Sequence, residues 1–284
     1  MDGVIVVNKE QGLTSRDVVN KVSKYLGIRK IGHTGTLDPM ATGVLVLVVG
    51  KATKLVEYLT SSEKEYVASM CFGKYTDTLD ITGKVLKTEN VSISLNQIKN
   101  VLSMYKKTYM QEVPKYSAVK VNGKKLYEYA RNNEDVVLPK KEVTIKKIEL
   151  LDNWENDGYK YIKFNTTVSK GTYIRSLVRD IAYSLNTIGV MTSLNRTRQG
   201  DFTLDQANTL EDIKRGKFKL IKLDEIFCDI PKIQITSDIE KSVVNGNIIT
   251  NNYNTDKVLF IKDNQVIALY QKYDNNHLKP FIMF

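Results

Sequence analysis

The residues best placed to do chemistry lie in one loop, Gly32-His33-Thr34-Gly35-Thr36-Leu37-Asp38-Pro39-Met40-Ala41-Thr42-Gly43. Its glycines permit sharp turns and a close backbone approach to a ligand. Pro39 restricts Asp38 to extended conformations and so holds its carboxylate in one direction. A carboxylate on a stiff loop ahead of a strand can act as nucleophile or base. Asp-Pro is equally a common turn former, so on spacing alone the catalytic and the structural readings both stand. Other chemistries find less support. Gly50-Lys51 is followed by Ala52, and Leu45 stands where a P-loop needs its first glycine. There is no G-x-S-x-G elbow and no GxGxxG after a strand, and His33 and His277 are too few for a histidine-rich zinc site. Kinase, serine-hydrolase and nicotinamide chemistry are disfavoured.

The elements around this loop can be read from periodicity. Residues 3–8 read as a short strand, and Thr14-Ser15-Arg16-Asp17 opens a helix with Val18, Val19, Val22 and Leu26 on one face and Gly27 as its stop. Residues 28–42 read as a long loop. Residues 43–49 form a continuous apolar strand of the kind buried on both faces. Further strands are expected at 66–72, 144–151, 159–168 and 190–198, with helices at 95–102 and 173–185. A strand-rich piece, 230–284, follows Cys228-Asp229-Ile230-Pro231. The irregular alternation of strands and helices predicts an α/β or α+β fold with a mixed sheet.

The chain has 284 residues and a formal net charge of +10, and its 42% apolar content excludes a wholly disordered chain. Cys71 and Cys228 have no metal or redox spacing around them and read as idle thiols of a reducing compartment. The longest apolar run, 44–49, is far short of the roughly 18 residues a membrane span needs. The expectation is a soluble, cytoplasmic protein with no membrane association.

The charge is unevenly placed. Residues 229–284 carry six Lys against six acidic residues, so the whole excess lies in residues 1–228. Residues 106–147 alone hold eleven basic and five acidic side chains, interleaved or flanked by Tyr105, Tyr109, Tyr116, Tyr127 and Tyr129. That mixture suits a surface that neutralises phosphates and offers rings to bases. A solvated face over core tyrosines fits the composition as well.

At the Asp38 loop the sequence GHTGTLDPMATGVLVLVVGKATKL resembles the catalytic motif of the TruB family of tRNA pseudouridine synthases, which isomerise uridine 55 in the T-loop. The resemblance includes Val7-Asn8-Lys9, Thr14-Ser15, Lys64-Glu65-Tyr66, Thr76-Asp77-Thr78 with Asp80, and Gln111 with Pro114. It continues through Tyr116-Ser117-Ala118 and residues 126–131, 171–177 and 194–198, some 200 residues in all. Two positions depart from the family pattern. Glu10 stands where the first motif usually has proline, which affects the rigidity of that turn. Asn195 stands where a second arginine is common, which bears on an RNA or backbone contact.

The resemblance implies a pseudouridine synthase fold at 1–228, a central mixed, largely antiparallel sheet flanked by helices, with an RNA-clasping insertion at about 106–147. It implies a small β-rich PUA-like RNA-binding domain at 229–284. The reaction would need no cofactor or metal, and the partner would be the T-stem-loop of tRNA, bound by a monomer with no protein partner. Asp38 would be the essential aspartate, acting on base or sugar or as a proton acceptor, with Arg175 beside it. Tyr66 would be general base or proton relay, Tyr173 would stack on the target base, and Leu194 would wall the pocket. His33 would occupy the space left by the extruded nucleotide, and Lys9 would contact the loop backbone or RNA. Lys124, Lys125, Arg131, Lys140 and Lys141 would contact RNA. A tRNA-folding chaperone and a synthase acting on another RNA hairpin are the competing expectations.

Overall fold

A strand that is apolar at every position must be covered on both faces. In the computed structural model, which describes residues 1–284, the strand Thr42–Val49 meets that requirement. Leu45, Leu47 and Val49 enter one core, and Val44, Val46 and Val48 enter another. Its antiparallel neighbour Gly3–Lys9 divides in the same way, with Ile5 and Val7 on one side and Val4 and Val6 on the other. At about 1.5–3 kcal/mol for each buried aliphatic side chain, these two strands anchor both cores.

They belong to a ten-stranded sheet in the spatial order Ile221–Lys222, Gly3–Lys9, Thr42–Val49, Gly189–Gln199, Lys64–Phe72, Tyr159–Val168, Lys140–Asn156 and Thr108–Glu112. Ile31–His33 and Phe202–Thr203 are appended to it. Its pairings are antiparallel except where Asn195 and Arg196 run parallel to Thr42 and Gly43. At this junction Gly43 has φ +100°, and a Cβ there would overlap the Arg196 carbonyl oxygen. Only glycine fits.

Helices Ser15–Leu26, Leu95–Met104 and Ile174–Ser184 cover one face through Val18, Val22, Ile98, Leu177 and Ile181. The first two begin with capping boxes, Thr14 with Asp17 and Ser94 with Gln97, and the first ends on left-handed Gly27. The stretch expected as loop contains the short strand Ile31–His33, paired to Thr42–Val49. The 3-10 turn Gly50–Leu55 and helix Val56–Thr60 are additions to the expected elements; they are too short for a periodic signal.

The other face is covered largely from the C-terminus. The strands Lys232–Gln234, Ile249–Thr250, Lys257–Lys262, Gln265–Lys272 and His277–Met283 form a second sheet. Leu259, Val266 and Leu269 pack with Val44, Val46 and Phe227 in one core. Val258, Phe260 and Tyr270 face the other way, into a small core of the C-terminal sheet itself. Packing is therefore continuous across residue 228. The segment expected as an insertion is also integrated at its ends. Thr108–Glu112 and residues 140–144 pair at the edge of the main sheet, and residues 113–139 between them form a hairpin and the helix Leu126–Arg131. Exposed lysines and threonines are ordinary on an edge strand. No helix is long and apolar enough to cross a membrane.

Candidate active site

Asp38 lines a cleft of about 630 Å³ together with Tyr66, Asp80, Arg131, Tyr173, Arg175 and Leu194. Arg175, on the first turn of helix Ile174–Ser184, forks onto it: Nε donates to Asp38 Oδ2 at 2.9 Å and Nη2 to Oδ1 at 3.0 Å. The guanidinium also donates to the carbonyls of Thr78 and Tyr116, each at 3.0 Å. Asp80 lies 4.0 Å from its Nε. Arg175 is 6% exposed and Asp80 5%, so both charges depend on partners rather than water. Asp80 accepts from the Thr78 hydroxyl and from the backbone and hydroxyl of Thr82. Leu79 between these residues sits at φ 64°, a left-handed conformation that a leucine adopts only under constraint. The Met191 amide donates to the Leu79 carbonyl and holds it there.

The Asp38 loop is shaped by side chains distant in sequence. Arg196, 1% exposed, donates to the carbonyls of Val44 at 2.7 Å and Gly35 at 3.0 Å. Gln199 Nε2 donates to the Thr34 hydroxyl and carbonyl. The Ser15 hydroxyl accepts from Leu37 N–H at 2.8 Å and donates to its carbonyl at 3.2 Å. Gly12 N–H donates to the Pro39 carbonyl. Loop rigidity therefore comes from these donors; neither Gly32 nor Gly35 takes a positive φ.

Five expected residues, Asp38, Tyr66, Tyr173, Arg175 and Leu194, share the cleft, and Arg131 reaches it from the helix Leu126–Arg131. Burial pushes the Tyr173 hydroxyl above its ordinary pKa. For Lys9, expected to contact the loop backbone or RNA, the contact present is with the loop backbone. The residue is fully buried, and its ammonium donates to the carbonyls of Glu10, Leu13 and Pro39 beneath the loop, so it supports the loop and is shielded from RNA. His33 lies outside the cleft lining, on the strand against Thr42–Val49, with Nδ1 buried and unpartnered. Burial, with Arg196 and Arg16 nearby, pushes its pKa down. Lys124 is ion-paired to Glu134 at 2.6 Å, Lys125 lies 3.4 Å from the Tyr127 hydroxyl, and Lys140 and Lys141 pair with Glu112 and Gln111 of the edge strand. Asp80 and Arg196 fall within the motif blocks but carry no expected role, and Gln199 falls just beyond them. An Asp flanked by Thr at both second neighbours, as in Thr78-x-Asp80-x-Thr82, is a local signal for the first; nothing local marks the other two.

A second, more open cleft of about 530 Å³ lies towards the other end of the same helix, among Tyr75, Tyr105, Tyr109, Lys140 and Tyr183. Its carboxylates, Glu112 and Asp180, both engage Arg179. There both Asp180 oxygens are engaged, one by Arg179 and the other by the Tyr109 hydroxyl, whereas the Asp38 carboxylate bonds only to Arg175 and its side chain stays 31% exposed to the first cleft.

Burial also pushes the Lys9 ammonium down to about 8, which the Asp38 carboxylate offsets only in part. In the unfolded chain it titrates near 10.5. Between these values the unfolded chain binds more protons, so this contribution to stability rises with pH across the window and is flat below it. Urea titrations at pH 8 and 9.5 should show wild type gaining roughly 1 kcal/mol more than a Lys9→Met variant. Identical pH dependence in the two proteins would refute the assignment.

The first cleft thus holds a carboxylate gripped by a buried arginine and is lined by Tyr66, Tyr116, Tyr127 and Tyr173. The fold is shared with a solved Cbf5–Nop10–Gar1 complex, at a TM-score of 0.70 and 24% identity over 99% of this chain and 84% of that one. It is shared also with an H/ACA RNP bound to a substrate RNA containing 2′-deoxyuridine, at a TM-score of 0.69 and 23% identity, covering 99% and 83%. Residues 23–174 match the family described as TruB family pseudouridylate synthase (N terminal domain). The tRNA pseudouridine synthase B of Caldanaerobacter subterraneus subsp. tengcongensis is 41% identical over 96% of this chain and 92% of its own length. That of Lactobacillus johnsonii is 43% identical over 96% and 95%. The chain belongs to the TruB family of pseudouridylate synthases.

Proposed function

We propose that the protein isomerises uridine 55 in the T-loop of tRNA to pseudouridine. The observation that carries this reading is the Asp38–Arg175 fork in the aromatic cleft. The name and the near-full-length similarity of the relatives support the RNA class. A stacked uridine cannot be reached in place, so it is extruded into the cleft at a cost of a few kcal/mol. Tyr173 receives the base face-on, and Leu194 packs against its other surroundings. Stacking on a ring contributes about 1–3 kcal/mol per base. Asp38 acts at the base or the sugar while the N1–C1′ bond breaks. The base turns, C5 joins C1′, C5 loses its proton and N1 gains one, with no net oxidation. Tyr66 is the proton relay, and Arg175 holds the Asp38 carboxylate towards the reacting atoms. The protein acts as a single chain, in the cytoplasm.

The segment of about residues 106–147 folds over the T-loop, with Arg131 at the cleft and Lys124, Lys125, Lys140 and Lys141 along the RNA backbone. Residues 229–284, a short PUA-like module, add contacts through backbone and shape, consistent with their zero net charge. His33 fills the gap left by the extruded nucleotide after a local movement.

The test is a T-stem-loop bearing uridine, incubated with purified protein and a chelator, digested to nucleosides and separated by chromatography. Pseudouridine at the target position is expected. Its absence with folded protein overturns the reading. Replacing Lys124, Lys125, Lys140 and Lys141 by Ala should weaken binding and reduce the slope of log K against log salt by about 0.7–0.9 for each phosphate that is no longer neutralised. An unchanged slope would mean these lysines only solvate the surface.

A further inference from the structure

We propose that Gln111 is a positioning residue for Tyr173, holding its backbone through a one-way chain of hydrogen bonds; the inference rests on the uridine-isomerising reading above. Gln111 is 1% exposed, on the strand Thr108–Glu112, and makes no contact with the Asp38 fork. Its Oε1 accepts from Tyr173 N–H at 2.8 Å, and its Nε2 donates to the Tyr109 hydroxyl at 2.8 Å. That hydroxyl donates to Asp180 Oδ2 at 3.1 Å. The other Asp180 oxygen accepts from Arg179 Nε at 3.0 Å and Nη2 at 2.8 Å.

The direction of the chain follows from its ends. An ionised carboxylate only accepts, so the Tyr109 hydroxyl spends its proton on Asp180 and can only accept from Gln111. A backbone N–H only donates, so Tyr173 requires the Gln111 carbonyl. Both ends demand the same orientation of one amide. Tyr173 is the extended residue (φ −101°, ψ 114°) that precedes helix Ile174–Ser184, and no side chain of its own caps that helix. Asp180 belongs to the body of the same helix. The chain therefore ties the residue at the helix entrance to the middle of the helix through a separate strand. It sets the Tyr173 ring relative to Arg175, two residues further on.

Steady-state kinetics on the T-stem-loop tests this. Gln111→Met, similar in volume but without the acceptor, should lower kcat about tenfold or more while KM moves less than about twofold, since a small misplacement of a bound group is felt in the transition state. Gln111→Glu keeps an acceptor for Tyr173 N–H but loses the donor to the Tyr109 hydroxyl, so it should recover only part of the kcat lost in the Met variant and melt earlier than wild type. A Met variant with wild-type kcat overturns the proposal. So does a Glu variant as slow as the Met variant, because the acceptor is then not what matters. If the Met variant fails to fold, Gln111→Asn, which falls short of Tyr173 by one methylene, takes its place under the same criteria. A folded wild type that makes no pseudouridine would instead overturn the functional reading, independently of these comparisons.

Discussion

Asp38→Asn is expected to abolish product formation, with a loss of at least about a thousandfold in kcat while RNA binding is kept. The substitution keeps the size and the loop but removes the anionic oxygen, whether that oxygen attacks a carbon or accepts a proton. The loop survives because its shape is held by Arg196, Gln199, Ser15 and Lys9, none of which bonds to the Asp38 side chain. The carboxamide oxygen of the variant can still accept from one Arg175 N–H, but its nitrogen meets the other as donor against donor. A stability loss of about 1–3 kcal/mol follows, too little to unfold a domain of this size. Chromatography of nucleosides from the stem-loop, with a gel-shift of the same RNA, separates catalysis from binding. Full activity in a folded Asp38→Asn protein would remove Asp38 from the chemistry.

Arg175→Ala is expected to fall as far in kcat and considerably further in stability. One buried guanidinium serves both oxygens of Asp38 and the carbonyls of Thr78 and Tyr116. Its removal leaves Asp80, itself 5% exposed, without its cation at 4.0 Å. Breaking a buried pair by deleting one partner costs about 3–5 kcal/mol. Tyr116 also loses a tie between residues 113–139 and the cleft, so KM for the stem-loop should rise as well. Arg175→Lys keeps the charge but not the planar fork, so it cannot hold two carboxylate oxygens and two carbonyls together. It should recover part of the stability and little of kcat. Thermal unfolding and kinetics on the two variants together check this, and a Lys variant with wild-type kcat would show that charge alone suffices.

Much of this architecture is legible in the chain itself, for specific physical reasons. The run at 42–49 has no polar face, so burial on both sides is the available outcome. Thr14 with Asp17, and Gly27, announce both ends of their helix. Asp38 stands out because Pro39 and its neighbours make an unusual loop, and Tyr66, Tyr173, Arg175 and Leu194 come from the resemblance. What stays hidden is set by tertiary geometry. Arg196 serves carbonyls more than 150 residues away, and no local period encodes that. Lys9 ends an apolar strand, and nothing local shows that three carbonyls converge on its buried ammonium. The basic segment 106–147 reads as a single appendage, although both its ends lie in the sheet edge, where pairing depends on backbone register more than on side-chain type.

The stitching of the Asp38 loop by Arg196 and Gln199 bears on the order in which the enzyme is made. Asp38 leaves the ribosome early, but the donors that shape its loop emerge about 160 residues later, and Arg175 only shortly before them. Domains assemble as units from contacts that close long loops of chain late. A nascent chain shorter than about residue 199 therefore carries the aspartate without two of the side chains that shape its loop. The loop reaches its final shape only when the strand Gly189–Gln199 has paired beside Thr42–Val49 and brought Arg196 and Gln199 to it.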